Sequence, residues 1–152
     1  MNEMKIYPEK ITVEHIAIVQ SQVSASDAFL NNIQKPHQIE IQQKQNSSFD
    51  MEQKKVRIRL KTLLEGTDDD KNELGVSGQF IIDFYIHVEN FDDFIVKDGD
   101  ITTVHASLGS TLMGIIYSTA RGIILERTRG TYLNGIILPV INPHTLTQNS
   151  DK

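Results

Sequence analysis

The sequence predicts an α+β fold: a four-stranded antiparallel β-sheet, a meander, followed by a long α-helix. Three observations carry this. Apolar residues recur at alternate positions in four stretches before residue 90. Connections of hairpin or modest length separate those stretches, and from about residue 108 the apolar period lengthens to three and four. With 152 residues the chain has the length of one domain, enough to bury roughly 70% of its unfolded surface.

The first strand spans residues 16–25, with Ile16, Ile18, Val23 and Ala25 as its apolar positions. Its alternation breaks at Val19 and Gln20, which predicts a bulge or a change of face. A connection, 26–36, contains Phe29, Leu30 and Ile33. The second strand spans 37–45, with Ile39 and Ile41 on one face, and 46–50 reads as a turn. The third strand spans 54–64, where Val56, Ile58, Leu60 and Leu64 share a face, and Gly66 to Asp70 opens a polar hairpin connection. The fourth strand is the most regular, with Leu74, Val76, Phe80, Ile82, Phe84, Ile86 and Val88 on one face. An acidic loop, 89–100, follows.

The helix is expected over 108–129, capped by Ser107 or Ser110, with Gly130 at a left-handed end. Leu112, Ile115, Ile116, Ala120, Ile123 and Ile124 form its stripe, and Met113, Tyr117 and Leu125 widen it beyond what one sheet covers. A helix apolar on so many sides is buried on more than one, and another subunit is the simplest second partner. Residues 136–141 are an extended apolar segment carrying Pro139, and Asn142-Pro143 starts a last short turn. The domain is placed at 15–146, between a partly disordered N-terminal segment, 1–14, and a polar tail, 147–152.

Composition excludes several classes of function. Apolar residues at 39% and charged residues at 23% suit a soluble globular chain. The absence of Cys removes disulfides, iron–sulfur clusters and a thiol nucleophile. The mixed, polar opening lacks a basic-then-apolar leader, so a cytoplasmic location is expected. The apolar run Leu108–Ala120 reads as too short and too polar for membrane insertion. Net charge is −5, with 18 Asp/Glu against 11 Lys/Arg in the first hundred residues. No concentrated basic face for nucleic acid emerges, because Lys54, Lys55, Arg57, Arg59 and Lys61 alternate with apolar residues as the solvated side of a strand.

Chemistry-bearing motifs are equally sparse. The five His residues are scattered without ligand spacing. Asp68, Asp70 and Asn72 imitate the start of a calcium loop, but Glu73 and Gln79 stand where Gly and a bidentate Glu are needed. Phosphate-binding Gly loops and the nucleophile elbow are absent, and the adjacent Asp92 and Asp93 read as solvated. No catalytic constellation forms, so the expectation is a non-enzyme with no cofactor and no metal. What remains is apolar surface. Phe29, Leu30 and Ile33 either fold back on the core or wall a groove that accepts apolar segments of another chain.

The C-terminal third is more specific. Arg129-Gly130-Thr131-Tyr132, then Leu138-Pro139-Val140-Ile141-Asn142 and Leu146, resembles the signature of the SecB family of protein-export chaperones. In that family the long helix ends in an Arg-Gly-Thr-aromatic turn, and a proline-containing hydrophobic–Asn–x–x–x–Leu segment follows. The order of elements agrees, and Phe29 and Ile33 fall where the family's first crossover carries aromatic residues. The resemblance covers residues 15–146, with 129–146 as its specific part.

The resemblance implies a homotetramer, a dimer of dimers, with long helices packed between sheets through Leu112, Ile115, Ile116 and Ile123. It implies a holdase for unfolded polypeptide clients, keeping preproteins competent for translocation. Shallow apolar grooves suit that role, since burial scales with area and needs no fixed partner. The expected client contacts are Phe29, Leu30, Ile33 and Tyr132, with Phe84 and Leu133 beside them; each also reads as plain core. Three departures bear on this. Pro143 and His144 replace an aromatic and an acid, so the family's last helix is short or missing. The family docks SecA through acids on the exposed sheet face, whereas Gln20, Ser24 and Gly75 carry no charge, leaving Asp83 and Glu73 as substitutes. Trp is absent. A SecB-like chaperone dedicated to another client, such as an antitoxin, fits as well. A non-catalytic adaptor with one folded partner on the 89–100 loop is the competing class, and a small-molecule-binding domain is a third.

Overall fold

The computed structural model describes residues 4–143 and 145; the tail 147–152 and the motif positions His144 and Leu146 lie outside them. A single 3-10 turn, Pro8–Lys10, leads into β1 (Ile11–Ala25). There follow α1 (Asp27–Asn31), β2 (Gln38–Asp50), β3 (Lys55–Thr67) and β4 (Glu73–Val88). After a second 3-10 turn, Phe91–Phe94, come β5 (Ile95–Asp98), β6 (Ile101–Val104) and α2 (Ala106–Arg127).

The four-stranded antiparallel sheet and the long C-terminal helix are those the sequence implies. The strand order is β1-β4-β3-β2, so β2-β3-β4 form a meander while β1 lies beside β4. That is a Greek-key order in place of a simple meander through all four strands. The physical reason lies in composition. β3 and β4 carry the complete alternating apolar faces, Val56, Ile58, Leu60 and Leu64 against Val76, Phe80, Ile82, Phe84 and Ile86, all buried. They take the centre, and the more polar β1 and β2 take the edges. The connection from β1 to β2 then crosses the ends of both central strands. Ser26 N–H donates to the Gly75 carbonyl of β4 (2.7 Å), and His37 N–H donates to the Thr67 carbonyl of β3 (3.1 Å).

The bulge expected at Val19 is present: Ile18 pairs with Ile82 and Gln20 with Ile81, leaving Val19 unopposed and exposed. A second irregularity separates Val13 from His15. β2 is longer than expected, and 46–50 is strand, with Asn46 opposite Arg59 and Asp50 opposite Lys55. The turn is 51–54, where Lys54 adopts φ 58° and the Asp50 carboxylate accepts from Gln53 N–H at 3.0 Å. Asn and Ser are tolerated in this strand because the ladder to β3 satisfies its backbone.

The 89–100 segment is more structured than a solvated loop. Phe91 and Phe94 are buried, and β5 and β6 form a small hairpin turned at Gly99 (φ 60°). An Asp-Gly pair at 98–99 is the signal for such a hairpin.

α2 starts two residues before the expected position. His105 is the N-cap, its Nδ1 accepting from Ser107 N–H at 3.1 Å, so neither Ser107 nor Ser110 caps it. Leu108, Leu112, Ile116, Ala120 and Ile124, at every fourth position, are buried. Thr128 Oγ1 donates to the Ile124 carbonyl at the end, and Gly130 is left-handed (φ 74°). By length and a mean hydropathy of 1.3 over its most apolar window the helix could cross a membrane, but seven of its side chains are buried within this chain. Extended residues 136–141 run back along α2. Tyr117 Oη donates to the Pro139 carbonyl (2.6 Å) and Arg121 Nε to the Leu138 carbonyl (2.9 Å).

Candidate functional site

A cleft of about 360 Å3 opens between β2 and the turn after α2, with Lys35 and Asn134 adding polar surface to its apolar walls. Pro36, Ile39 and Ile41 form one wall, and Tyr132, Leu133, Ile136 and Ile137 the other. Ile39 and Ile41 point to the inner side of the sheet, opposite Gly66 and Leu64 of β3. Gly66 lets Pro36 lie against the strand, because a Cβ there would come within 2.9 Å of Pro36 Cγ and 2.7 Å of Val76 Cγ1. Gly130 and Gly135, at φ 74° and 83°, bring the other wall round.

α1 closes one end. Ser26 caps it, Oγ accepting from Phe29 N–H at 3.2 Å. Phe29 is 2% exposed and meets the Tyr132 ring edge-on, with centroids 5.2 Å apart. Tyr132 itself is 47% exposed, so the pair joins the core to the cleft rim.

The structure distributes the expected client residues over three environments. Tyr132 and Leu133 line the cleft, Tyr132 exposed and Leu133 buried. Leu30 and Ile33 are exposed, at 45% and 55%, on α1 and the connection after it, outside the cleft lining. Phe84 lies in the core, its β4 position flanked by Ile16 of β1 and Ile58 of β3. The reading from sequence missed Pro36, Ile39, Ile41, Ile136 and Ile137. The available signal was the pairing of Ile39 and Ile41 within an otherwise polar strand, where the apolar face is only partly covered.

The edge beside this cleft is unusually regular. β2 pairs with β3 through thirteen rungs without a bulge and without proline, whereas β1, at the other edge, is broken twice. Regular edges accept further strands, and bulges discourage them.

Of the helix positions expected at an oligomer interface, Leu112 and Ile116 are buried within this chain, while Ile115 and Ile123 are half-buried. Charges are concentrated elsewhere. Asp83, 2% exposed, is on the sheet face away from α2 and binds Arg59 (Nε 2.7 Å, Nη2 2.9 Å) and Arg57 (Nη2 2.8 Å). The Arg59 bonds, with those of Arg57, hold the Asp83 carboxyl below the usual carboxylate range although burial pushes it up. Asp83 is therefore engaged within the sheet. Asp68 is a turn-former, its carboxylate accepting from the backbone N–H of Asp70 and Asn72, both at 2.9 Å. Among the described residues no group of three or more His, Asp or Glu could hold a metal ion.

No protein-family model matches the sequence, and no curated protein matches it. Solved structures do match. A SecB-like chaperone of Mycobacterium tuberculosis, in complex with a ChAD peptide from the HigA1 antitoxin, aligns with a TM-score of 0.60 at 12% identity over 88% of this chain and 91% of that chain. A protein of unknown function from Streptococcus agalactiae aligns with a TM-score of 0.42 at 13% identity, over 86% of this chain and 97% of its own. The sheet, the crossover after the first strand and the long helix with its returning tail thus make up a SecB-like α+β fold.

Proposed function

We propose that this protein is a non-catalytic chaperone that holds extended segments of unfolded polypeptide in the cleft between β2 and residues 132–137. The observation that carries the reading is the cleft itself, in which apolar side chains of both walls face each other beside a regular edge strand. A segment laid along β2 could take backbone hydrogen bonds from the edge while every second side chain enters the cleft. That chemistry recognises extended apolar chain without demanding one sequence. The SecB-like chaperone of similar fold, solved with an antitoxin peptide, supports the same use.

Within this reading the protein is cytoplasmic, forms a homotetramer through Ile115 and Ile123 on the half-covered side of α2, and keeps preproteins competent for translocation. A second reading has a specific observation in its favour: a dedicated client such as an antitoxin. Asp83 is tied up by Arg57 and Arg59, which takes away one of the acids that could stand in for SecA docking.

The test is a titration with a reduced, permanently unfolded polypeptide, with the same polypeptide folded as control. Binding confined to the unfolded form, and weakened about tenfold by Tyr132→Ser or Ile39→Ser, is expected, since each removes roughly 1–2 kcal/mol of apolar contact. Equal binding of both forms, or none, would sink the chaperone reading in favour of an adaptor.

A further inference from the structure

The sheet face opposite α2 holds two arginines around one carboxylate, a group that the client cleft does not use. Arg59 stands between Asp83 of β4 and Asn46 of β2, and Arg57 between Tyr85 and Ser48. Directly paired residues share a face, so all of these lie on one side, while Ile39 and Ile41 of the cleft point to the other. Asp83 accepts one N–H bond from Arg57 and two from Arg59. A guanidinium has five N–H donors, so most of those on the pair stay unused, and both side chains are nearly half exposed. Arg57 also lies over the Tyr85 ring, 5.7 Å from its centroid. Neighbouring charges are engaged elsewhere: Lys55 pairs with Glu14 at 3.4 Å, and the Asp50 carboxylate accepts from Gln53 N–H. Among the described residues Asp83 is the one carboxylate in ion-pair contact with either arginine. The group therefore keeps one positive charge in excess. It borders a concavity of about 260 Å3 lined by Asn46, Ser48, Arg57 and Arg59, polar on every side.

We infer that this concavity is a docking site for a carboxylate side chain on an acidic segment of a partner protein. The planar forks of Arg57 and Arg59 match a carboxylate, which accepts two parallel N–H bonds. Asn46 and Ser48, opposite the arginines on the edge strand, add an amide and a hydroxyl that can donate to its remaining lone pairs. Asp83 fixes the guanidiniums from below through three bonds of 2.7–2.9 Å, so little order is lost when a ligand arrives. The charge count selects the class of ligand. One carboxylate neutralises the excess charge of the Arg57–Asp83–Arg59 group. A phosphoryl group, at about −1.5 to −2, would leave negative charge beside Asp83. A nucleic acid needs a broad basic face, which a chain of net charge −5 lacks. The site lies on the sheet face away from the cleft, and the inference stands without the chaperone reading.

Fluorescence anisotropy of the full chain with a labelled peptide of alternating Glu and Ser tests it, at about 50 mM salt to limit screening. The same peptide with Gln for Glu should bind at least about tenfold more weakly, and one with phosphoserine for Glu should bind no better than the Glu peptide. Ser48→Glu supplies the missing carboxylate from within the chain, directly opposite Arg57. It should weaken peptide binding about tenfold and raise the melting temperature by about 1–3 °C, as a new cross-strand ion pair does. Gln22→Glu changes net charge equally, on β1 beside the far concavity of the same face, and should leave binding within about twofold. Both positions are exposed, and circular dichroism melts confirm that the variants are folded. The inference is overturned if the Glu and Gln peptides bind alike, or if only the phosphoserine peptide binds. It is equally overturned if folded Ser48→Glu binds as well as the unmodified chain, or if Gln22→Glu loses as much.

Discussion

Replacing Asp83 by Asn would leave two guanidinium groups against a neutral amide on the exposed sheet face. The loss of its charged hydrogen bonds should cost about 2 kcal/mol. The pH dependence has a definite sign. A carboxyl depressed in the folded state contributes its full stability above the unfolded value, about 3.9, and loses it as pH falls through the lower folded value. Thermal melts should therefore separate wild type from Asp83→Asn at neutral pH and converge as pH falls below about 4. Phe29 is the second informative residue. At 2% exposure its truncation to Ala should cost about 3–4 kcal/mol, measured by denaturant unfolding. Tyr132, on the rim, should lose client binding with little change in stability. That these two aromatics touch was beyond inference from one chain, because Phe29 and Tyr132 are 103 positions apart and only the crossover of β1 brings them together.

Among the elements, α2 is the one whose packing reads most directly from spacing. Its buried residues at 108, 112, 116, 120 and 124 follow the four-residue step, and Leu112→Ala should cost about 2–5 kcal/mol. Its cap was less legible, since His105 accepts through a ring nitrogen whose tautomer the backbone selects. The crossover element, α1, depends on Gly75, which adopts φ 89° and whose added Cβ would meet Ser26 Oγ at 2.1 Å. Gly75→Ala should therefore dislodge the α1 cap and reduce stability by more than about 1 kcal/mol, with Tyr132 becoming more exposed to quenchers of its fluorescence. The β5–β6 hairpin had its signal in Asp98-Gly99, whereas the extension of β2 to Asp50 was hidden because its polar residues are held by the ladder to β3 and not by an apolar face of their own.

For the whole molecule, the salt response separates two kinds of association. Client capture in an apolar cleft should persist at high salt, because burial of apolar area is not screened, whereas an adaptor contact through charge should weaken. The balance of 18 acids against 11 bases in the first hundred residues reads as a diffuse acidic half; folding spreads it over turns and sheet and pairs part of it, with Asp83 held by Arg57 and Arg59. The sequence by itself determined the existence and type of the main elements, the bulge near Val19 and the apolar stripe of α2, since all of these follow from periods of two and three to four along the chain. It also carried the turn motif 129–132 that points to a SecB-like fold. Only the tertiary structure decided that β1 lies beside β4, that Phe84 and Leu133 are buried while Leu30 and Ile33 are exposed, and that Ile39 and Ile41 face Tyr132 across a cleft. Periodicity records which side of an element is apolar, and the partner covering that side is chosen by contacts between residues far apart in the chain.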